Sequence, residues 1–270
     1  MLRFTLAAAG FLAASCGVAG AQLVLPDAAP APAASPAAPP APAAEAQKAE
    51  RAAPGFISEV AAVVGRPLKL DGARGQLLFS GRGKVLRIDK FNLPGEVISD
   101  PSRKCLIGVV ADAPIETKSL GRPDGLARYE AGIPACPFVF DLLDGAVLVA
   151  QQNAACVFQA ADCRASPSGL WGPGATELGN DAKAIERDRA RADAAAERSV
   201  RALEAKLKGK PEATDVARER NEASQRREEV CRDYDQETVY GYCASRLAQA
   251  RAALFKARLD ALGRRPAAED

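Results

Sequence analysis

At 270 residues the chain is long enough for one large or two small domains. Its 36 lysines and arginines nearly balance 34 aspartates and glutamates, and a net charge of +2 excludes the strongly basic face of a nucleic-acid binder. Histidine is absent, which removes Ser-His and Cys-His nucleophile pairs and the commonest metal ligand, so no catalytic residue, metal site or cofactor is expected.

Residues 1–21 read as a signal peptide. Arg3 supplies the positive start and Phe4 to Val18 is apolar. That run of about 15 residues is short of the ~20 that a bilayer span requires. Ala19-Gly20-Ala21 offers small residues for cleavage, leaving Gln22 as the mature N-terminus. A rival reading makes Cys16, behind Leu12-Ala13-Ala14-Ser15, the lipid-anchored cysteine of a lipoprotein. No later segment reaches span length without charges, so no transmembrane segment is expected after cleavage. Residues 22–53, nearly all Ala and Pro, bury too little apolar surface to offset chain entropy and are expected as a disordered linker. In polyproline form the stretch Leu25 to Ala53 reaches roughly 80–90 Å, which reads either as a stalk holding the folded part away from an anchor or as a linker with no role of its own.

Residues 54–163 predict a short helix and then a β-rich domain. Phe56, Ile57, Val60, Val63 and Val64 give one amphipathic helix. Short apolar runs follow at Gln76 to Phe79, Lys84 to Phe91, Cys105 to Ala111, Leu126 to Tyr129, Phe138 to Leu143 and Ala146 to Ala150. Gly, Pro, Asp and Asn separate them, the residues that turns use. Asp144-Gly145 fits a two-residue hairpin turn. The rhythm points to a small antiparallel sandwich or barrel. Gly81-Arg82-Gly83-Lys84 lacks the spacing of a phosphate loop.

Cys105, Cys136, Cys156, Cys163, Cys231 and Cys243 make an even set behind an export signal, which reads as disulfides. Cys105 and Cys136 are placed to bridge strands, and Cys156 with Cys163 to close a short loop. Residues 164–178 read as a junction loop, in which Trp171 packs the two domains together.

Residues 179–263 predict an antiparallel three-helix domain, with 264–270 as a tail. Asn180 or Asp181 caps a helix buried along Ile185, Ala192, Ala196, Leu203 and Leu207, ended by Gly209 and Pro211. A second runs through Val216, Ala223, Val230 and Tyr234. A third carries Cys243, Leu247, Ala250, Leu254, Ala257 and Ala261, the stripe of a bundle seam. A turn near Asp235 to Glu237 sets Cys231 opposite Cys243, so these two are expected to staple a helical hairpin. The fold class is therefore α+β. Beside the staple, Tyr234, Asp235, Tyr240 and Tyr242 admit two readings: a tip that enters a partner's cleft, or a cap on the bundle core. The charged runs Ile185 to Arg201 and Arg218 to Arg232 read as solvated faces.

Arg226-Arg227-Glu228-Glu229-Val230-Cys231, Tyr242-Cys243-Ala244-Ser245-Arg246-Leu247 and Ala250-Arg251 to Arg258-Leu259 together resemble the lysozyme-inhibitor LprI-like domains. The resemblance lies within Cys163 to Leu262. It implies an exported, disulfide-stapled helical domain and a protein partner, a lysozyme-type hydrolase. The alternative is a structural envelope protein, tethered by its stalk, that binds peptidoglycan or an assembly partner and inhibits nothing. An enzyme working through paired carboxylates is a third class, for which no pair stands out.

Overall fold

The structure of the chain is a computed structural model, and it describes residues 54–150, 155–179 and 181–264. The signal peptide, Cys16, the Ala/Pro linker and the tail after Arg264 lie outside the described residues. Helix α1 (Pro54–Val63) leads into β1 (Leu68–Leu70), β2 (Arg74–Arg82), β3 (Val85–Val97), β4 (Lys104–Gly108), β5 (Ile115–Gly121) and β6 (Arg128–Ala131). Next come β7 (Phe138–Leu143), β8 (Ala146–Val149), β9 (Cys156–Phe158), β10 (Cys163–Ala165) and β11 (Gly169–Gly172). The helices follow: single-turn α2 (Ala175–Leu178), long α3 (Ala182–Lys206) and α4 (Glu212–Cys231), single-turn α5 (Glu237–Tyr240), then α6 (Tyr242–Arg264).

Of the two architectures expected, the sheet is a barrel. Strands β1, β2, β3, β5, β6, β7, β8 and β11 each pair antiparallel with the next, and β11 returns to β1. Closure removes the unpaired edges that an open sheet would expose. Side chains fill the interior, as eight strands allow: Phe79, Phe91, Phe138, Phe140, Tyr129 and Trp171 are all buried there. The hairpin expected at Asp144-Gly145 forms, with Leu143 opposite Ala146 and Gly145 at φ 72°.

Alternation along three strands explains what lies outside the barrel. Phe140 and Leu142 of β7, Val147 and Val149 of β8 and Trp171 of β11 point inward. Their neighbours Leu143, Ala146, Leu148 and Leu170 point outward, into a second apolar cluster shared with the helices. The helices therefore cover the outward face at Leu143, Ala146, Leu148 and Leu170, while Val139 of β7 stays exposed.

Strands β4, β9 and β10 stand off the barrel on the long C-terminal half of β3. Asn92 pairs with Gln76 of β2 on one edge and Gly108 of β4 on the other. Gly95 lies between Cys105 of β4 and Ala165 of β10. Two strands flanking a third in a flat sheet would be about 9.5 Å apart. Yet the Cα atoms of Cys105 and Cys163 lie 6.1 Å apart and their sulfurs are bonded, so the sheet curls tightly here. Gly95 permits the curl: a Cβ there would sit 2.4 Å from the Arg164 carbonyl oxygen.

The disulfide pairings of this region differ from those expected. Cys105 pairs with Cys163, and Cys136 with Cys156. The β9–β10 register places Cys156 opposite Ala165 and Cys163 opposite Phe158, so these two cysteines do not face each other. Each instead ties its excursion to a distant segment. The stretch read as a junction loop holds the end of β10 and all of β11, the strand that completes the barrel. Trp171 accordingly belongs to the barrel core rather than to the seam between the two parts. Its Nε1 donates to the Pro167 carbonyl at 2.8 Å and its ring meets Phe91 edge-on.

Helices α3 and α6 run parallel, with α4 antiparallel to both. Ser245 bonds the Ile185 carbonyl at one end, while Ala196, Val200, Leu203 and Phe255 cluster farther along. Cys231 and Cys243 are bonded, Cα–Cα 5.6 Å. The seam of α6 lies about one position off the expected stripe. Ala244, Ala248 and Phe255 are buried, whereas Leu247, Ala250 and Leu254 are half-buried and Ala261 is exposed. The cause is that α6 is flanked by α3 and by the barrel, so no single stripe describes its contacts. Among the residues of α4, only Val216 and Cys231 are buried. The helix is thus fixed at its two ends, and the stretch between them is exposed or half-buried.

Candidate functional site

Tyr234 and Tyr242, read either as part of a tip that enters a partner or as a cap on the bundle core, form the joint between hairpin and barrel. Tyr234 and Tyr242 are buried and stack with ring centroids 5.7 Å apart. The Tyr234 hydroxyl donates to the Pro173 carbonyl at 2.8 Å, and that of Tyr242 to the Gly145 carbonyl at 3.0 Å. Burial pushes both phenols well above the ordinary tyrosine range. Asp235 contributes its backbone N–H, which donates to the Asp71 carbonyl at 2.8 Å. Tyr240 is half-buried against the same cluster. Of the two readings of these residues, the structure places Tyr234 and Tyr242 in packing.

The joint is reinforced by charge. The Arg246 guanidinium lies over the Tyr242 ring at 4.7 Å and pairs with Asp144 at 3.3 Å. Glu237 caps α6, accepting from the backbone N–H groups of Cys243 and Ala244 at 2.9 Å each. Burial raises its carboxyl, against the effect of those two donors. Burial also raises Asp71, opposed by its partner Arg74.

Next to this joint the barrel and the helices enclose a cleft of about 660 Å³. Leu126 and Leu148 of the barrel and Leu247, Ala250 and Leu254 of α6 supply its apolar surface. The middle of α4, from Glu219 to Arg227, forms the facing wall. The half-buried stripe of α6 is therefore apolar because it lines this cleft. Concave spaces of this size with mixed apolar and polar linings are where proteins take ligands.

The charges around the cleft are unevenly matched. Asp124 and Asp141 pair with Arg128, Glu197 with Arg251, and Glu219 with Arg258, at 2.7–2.8 Å. Asp193 and Glu222 sit within 4 Å of Arg189 and Arg218. Every carboxylate of the lining thus lies near a guanidinium, but Asp124 and Asp141 share that of Arg128, and Glu222 shares that of Arg218 with Asp215. Arg226 and Arg227 of α4 have no carboxylate within ion-pair distance among the described residues, Arg227 sensing Glu237 only from farther away. Two buried lining atoms, Oε2 of Glu219 and Nε of Arg251, have no hydrogen-bond partner there either. In the sequence both arginines stand in the motif that resembles the LprI-like domains and in a run that reads as a solvated face, not as part of a cleft.

Among the described residues no group of His, Cys, Asp and Glu is arranged to hold a metal, and no helix is long and apolar enough to cross a membrane. No protein-family model, curated protein or solved structure matches the chain.

Proposed function

We propose that the chain is an exported, non-catalytic binding protein of the periplasm or extracellular space that captures another protein, in the first instance a lysozyme-type hydrolase, in the cleft between barrel and helices. The observation that carries this reading is the cleft itself, with an apolar floor beside cationic groups that lack partners. Three disulfides support an oxidising destination. The resemblance of the C-terminal third to LprI-like domains supports a hydrolase as partner, and the Cys231–Cys243 staple agrees with it. A clearing assay tests the reading: oxidised protein, added in excess, slows the lysis of a cell-wall suspension by a lysozyme-type hydrolase. Unchanged lysis across a hundredfold range of added protein removes the hydrolase from the account.

A further inference from the structure

We infer that two copies of this chain pair edge to edge through strand β4, antiparallel about a two-fold axis at Leu106, so that one sheet runs across both molecules. The pairing is independent of the cleft and of what the cleft binds. Closing the barrel leaves β4, β9, β10 and the end of β3 as a small open sheet outside it, in which β4 pairs with β3 alone. The Val97 N–H donates to the Arg103 carbonyl at 3.0 Å, and the Val109 N–H to the Phe91 carbonyl at 2.8 Å. In an antiparallel ladder the residues that face the neighbour alternate, so Cys105 and Ile107 turn their backbone groups toward β3. Lys104, Leu106 and Gly108 turn theirs away, and all three residues are exposed. Among the described residues no backbone partner meets those groups. An edge of this kind is a template for another strand.

Backbone register, apolar contacts and charge all select a second copy as the occupant. Centring the pair on Leu106 sets Lys104 of each copy against Gly108 of the other, and every outward N–H and C=O of one strand then meets its complement. Sliding the strands by two residues either way pairs an end residue of each with a residue outside β4. The side chains agree with the centred register. Pro94 of β3 lies opposite Leu106, which is 60% exposed. The two-fold axis extends that pair into a row, Pro94 and Leu106 of one copy followed by Leu106 and Pro94 of the other, and takes both leucines out of water. Lys104, the single charge of β4, is paired with Glu96 of its own chain at 2.8 Å. Across the axis it meets a glycine, so no like charges are opposed. The other free edge, β9, is poorer. The Ile98 N–H donates to the Asp162 carbonyl, which turns Cys163 and Ala165 toward β9 and leaves only Val157 of that strand facing outward. A β4 of 5 residues makes a small contact, so the dimer is a weak one that forms as concentration rises.

Sedimentation velocity of the full oxidised chain across a hundredfold range of concentration is the test, with hydrogen exchange followed amide by amide in the same samples. The wild-type chain is expected to pass from monomer to dimer, and the amides of Lys104, Leu106 and Gly108 to exchange severalfold more slowly as it does. Residue 106 meets itself at the axis, and like charges directly opposite each other destabilise a strand pair. Leu106→Lys and Leu106→Glu are therefore each expected to stay monomeric, while an equal mixture of the two dimerises. Both changes are on an exposed side chain and leave the β3–β4 hydrogen bonds in place, with melting temperatures as the folding control. A wild-type chain that stays monomeric throughout, a dimer whose β4 amides exchange as in the monomer, a charged variant that dimerises alone, or a mixture that does not dimerise overturns the inference. Species that grow beyond the dimer also overturn it, since they mark head-to-tail pairing of β4 with a different edge such as β9. Should a variant fail to fold, the exchange of the three wild-type amides decides.

Discussion

Gly172→Ala probes the joint between barrel and hairpin without straining the backbone, since Gly172 is not among the residues with positive φ. A Cβ there would lie 2.6 Å from the Tyr234 hydroxyl oxygen and 3.0 Å from Cε1 of Tyr242. Overpacking of this kind costs about 1–3 kcal/mol. Tyr234→Phe removes the nearest atom, leaving Cε1 of Tyr242 at 3.0 Å and the Cζ of residue 234 at 3.6 Å, and gives up a hydrogen bond to Pro173 that contributes about 1 kcal/mol. The alanine should therefore be less harmful in the phenylalanine background. A double-mutant cycle in urea, read as midpoints at constant m, should give a coupling of about 1 kcal/mol or more. Additive losses, or a neutral Gly172→Ala, would refute the claim that the tyrosine pair is seated on this glycine.

Replacing Cys231 and Cys243 by serine opens a 12-residue separation and should cost about 2–3 kcal/mol, lowering the melting temperature seen by helical circular dichroism. Non-reducing peptide maps should show Cys105 with Cys163 and Cys136 with Cys156; fragments joining Cys156 to Cys163 would contradict the curled sheet around Gly95. At high pH, Tyr129, raised to about 12 by burial, and the raised Tyr234 and Tyr242 keep protons that the unfolded chain releases near 10. Stability should thus fall as pH climbs above 10, by up to about 4 kcal/mol per pH unit for the three together. Their phenolate absorbance should appear only as circular dichroism is lost; phenolate from all three in a still-native protein is the opposing result. Glu237 likewise binds its proton more tightly when folded than its ordinary value of 4.5 implies. Its contribution is present at acid pH and lost as pH rises through the raised value, so Glu237→Gln should flatten the stability profile in that window, as followed by urea midpoints.

Much of the fold was legible where alternation and turn chemistry agree. Phe138 to Val149 with Asp144-Gly145 gives a hairpin because the apolar positions and the turn residues specify the same register. The helix α3 was readable from Ile185, Ala192, Ala196 and Leu203 for a similar reason. Strand β5 was not: Ile115 to Gly121 carries Glu116, Lys118 and Ser119, and most of it faces outward, so no apolar pattern marks it. Strand β11 was hidden by its own composition, two glycines and a Trp among Ser and Pro, although it is the strand that shuts the barrel. The cysteine pairing depended on β3 being flanked by two excursions that leave the same end of the barrel, one after β3 and one after β8, a topological fact that spacing does not encode. The cleft was out of reach for the same reason. Leu126, Leu148 and Leu247 meet only because α6 returns to the barrel, and Arg226 and Arg227 differ from other surface arginines only in what lies opposite them.

Isothermal titration of the oxidised chain with a lysozyme-type hydrolase, repeated with Ser224→Trp, tests the binding role and its location together. The account predicts saturable one-to-one binding by the wild-type chain and at least a tenfold loss when the tryptophan fills the cleft. Absence of binding heat at any concentration, with the same protein sedimenting alongside insoluble peptidoglycan, would contradict it and favour a structural envelope role.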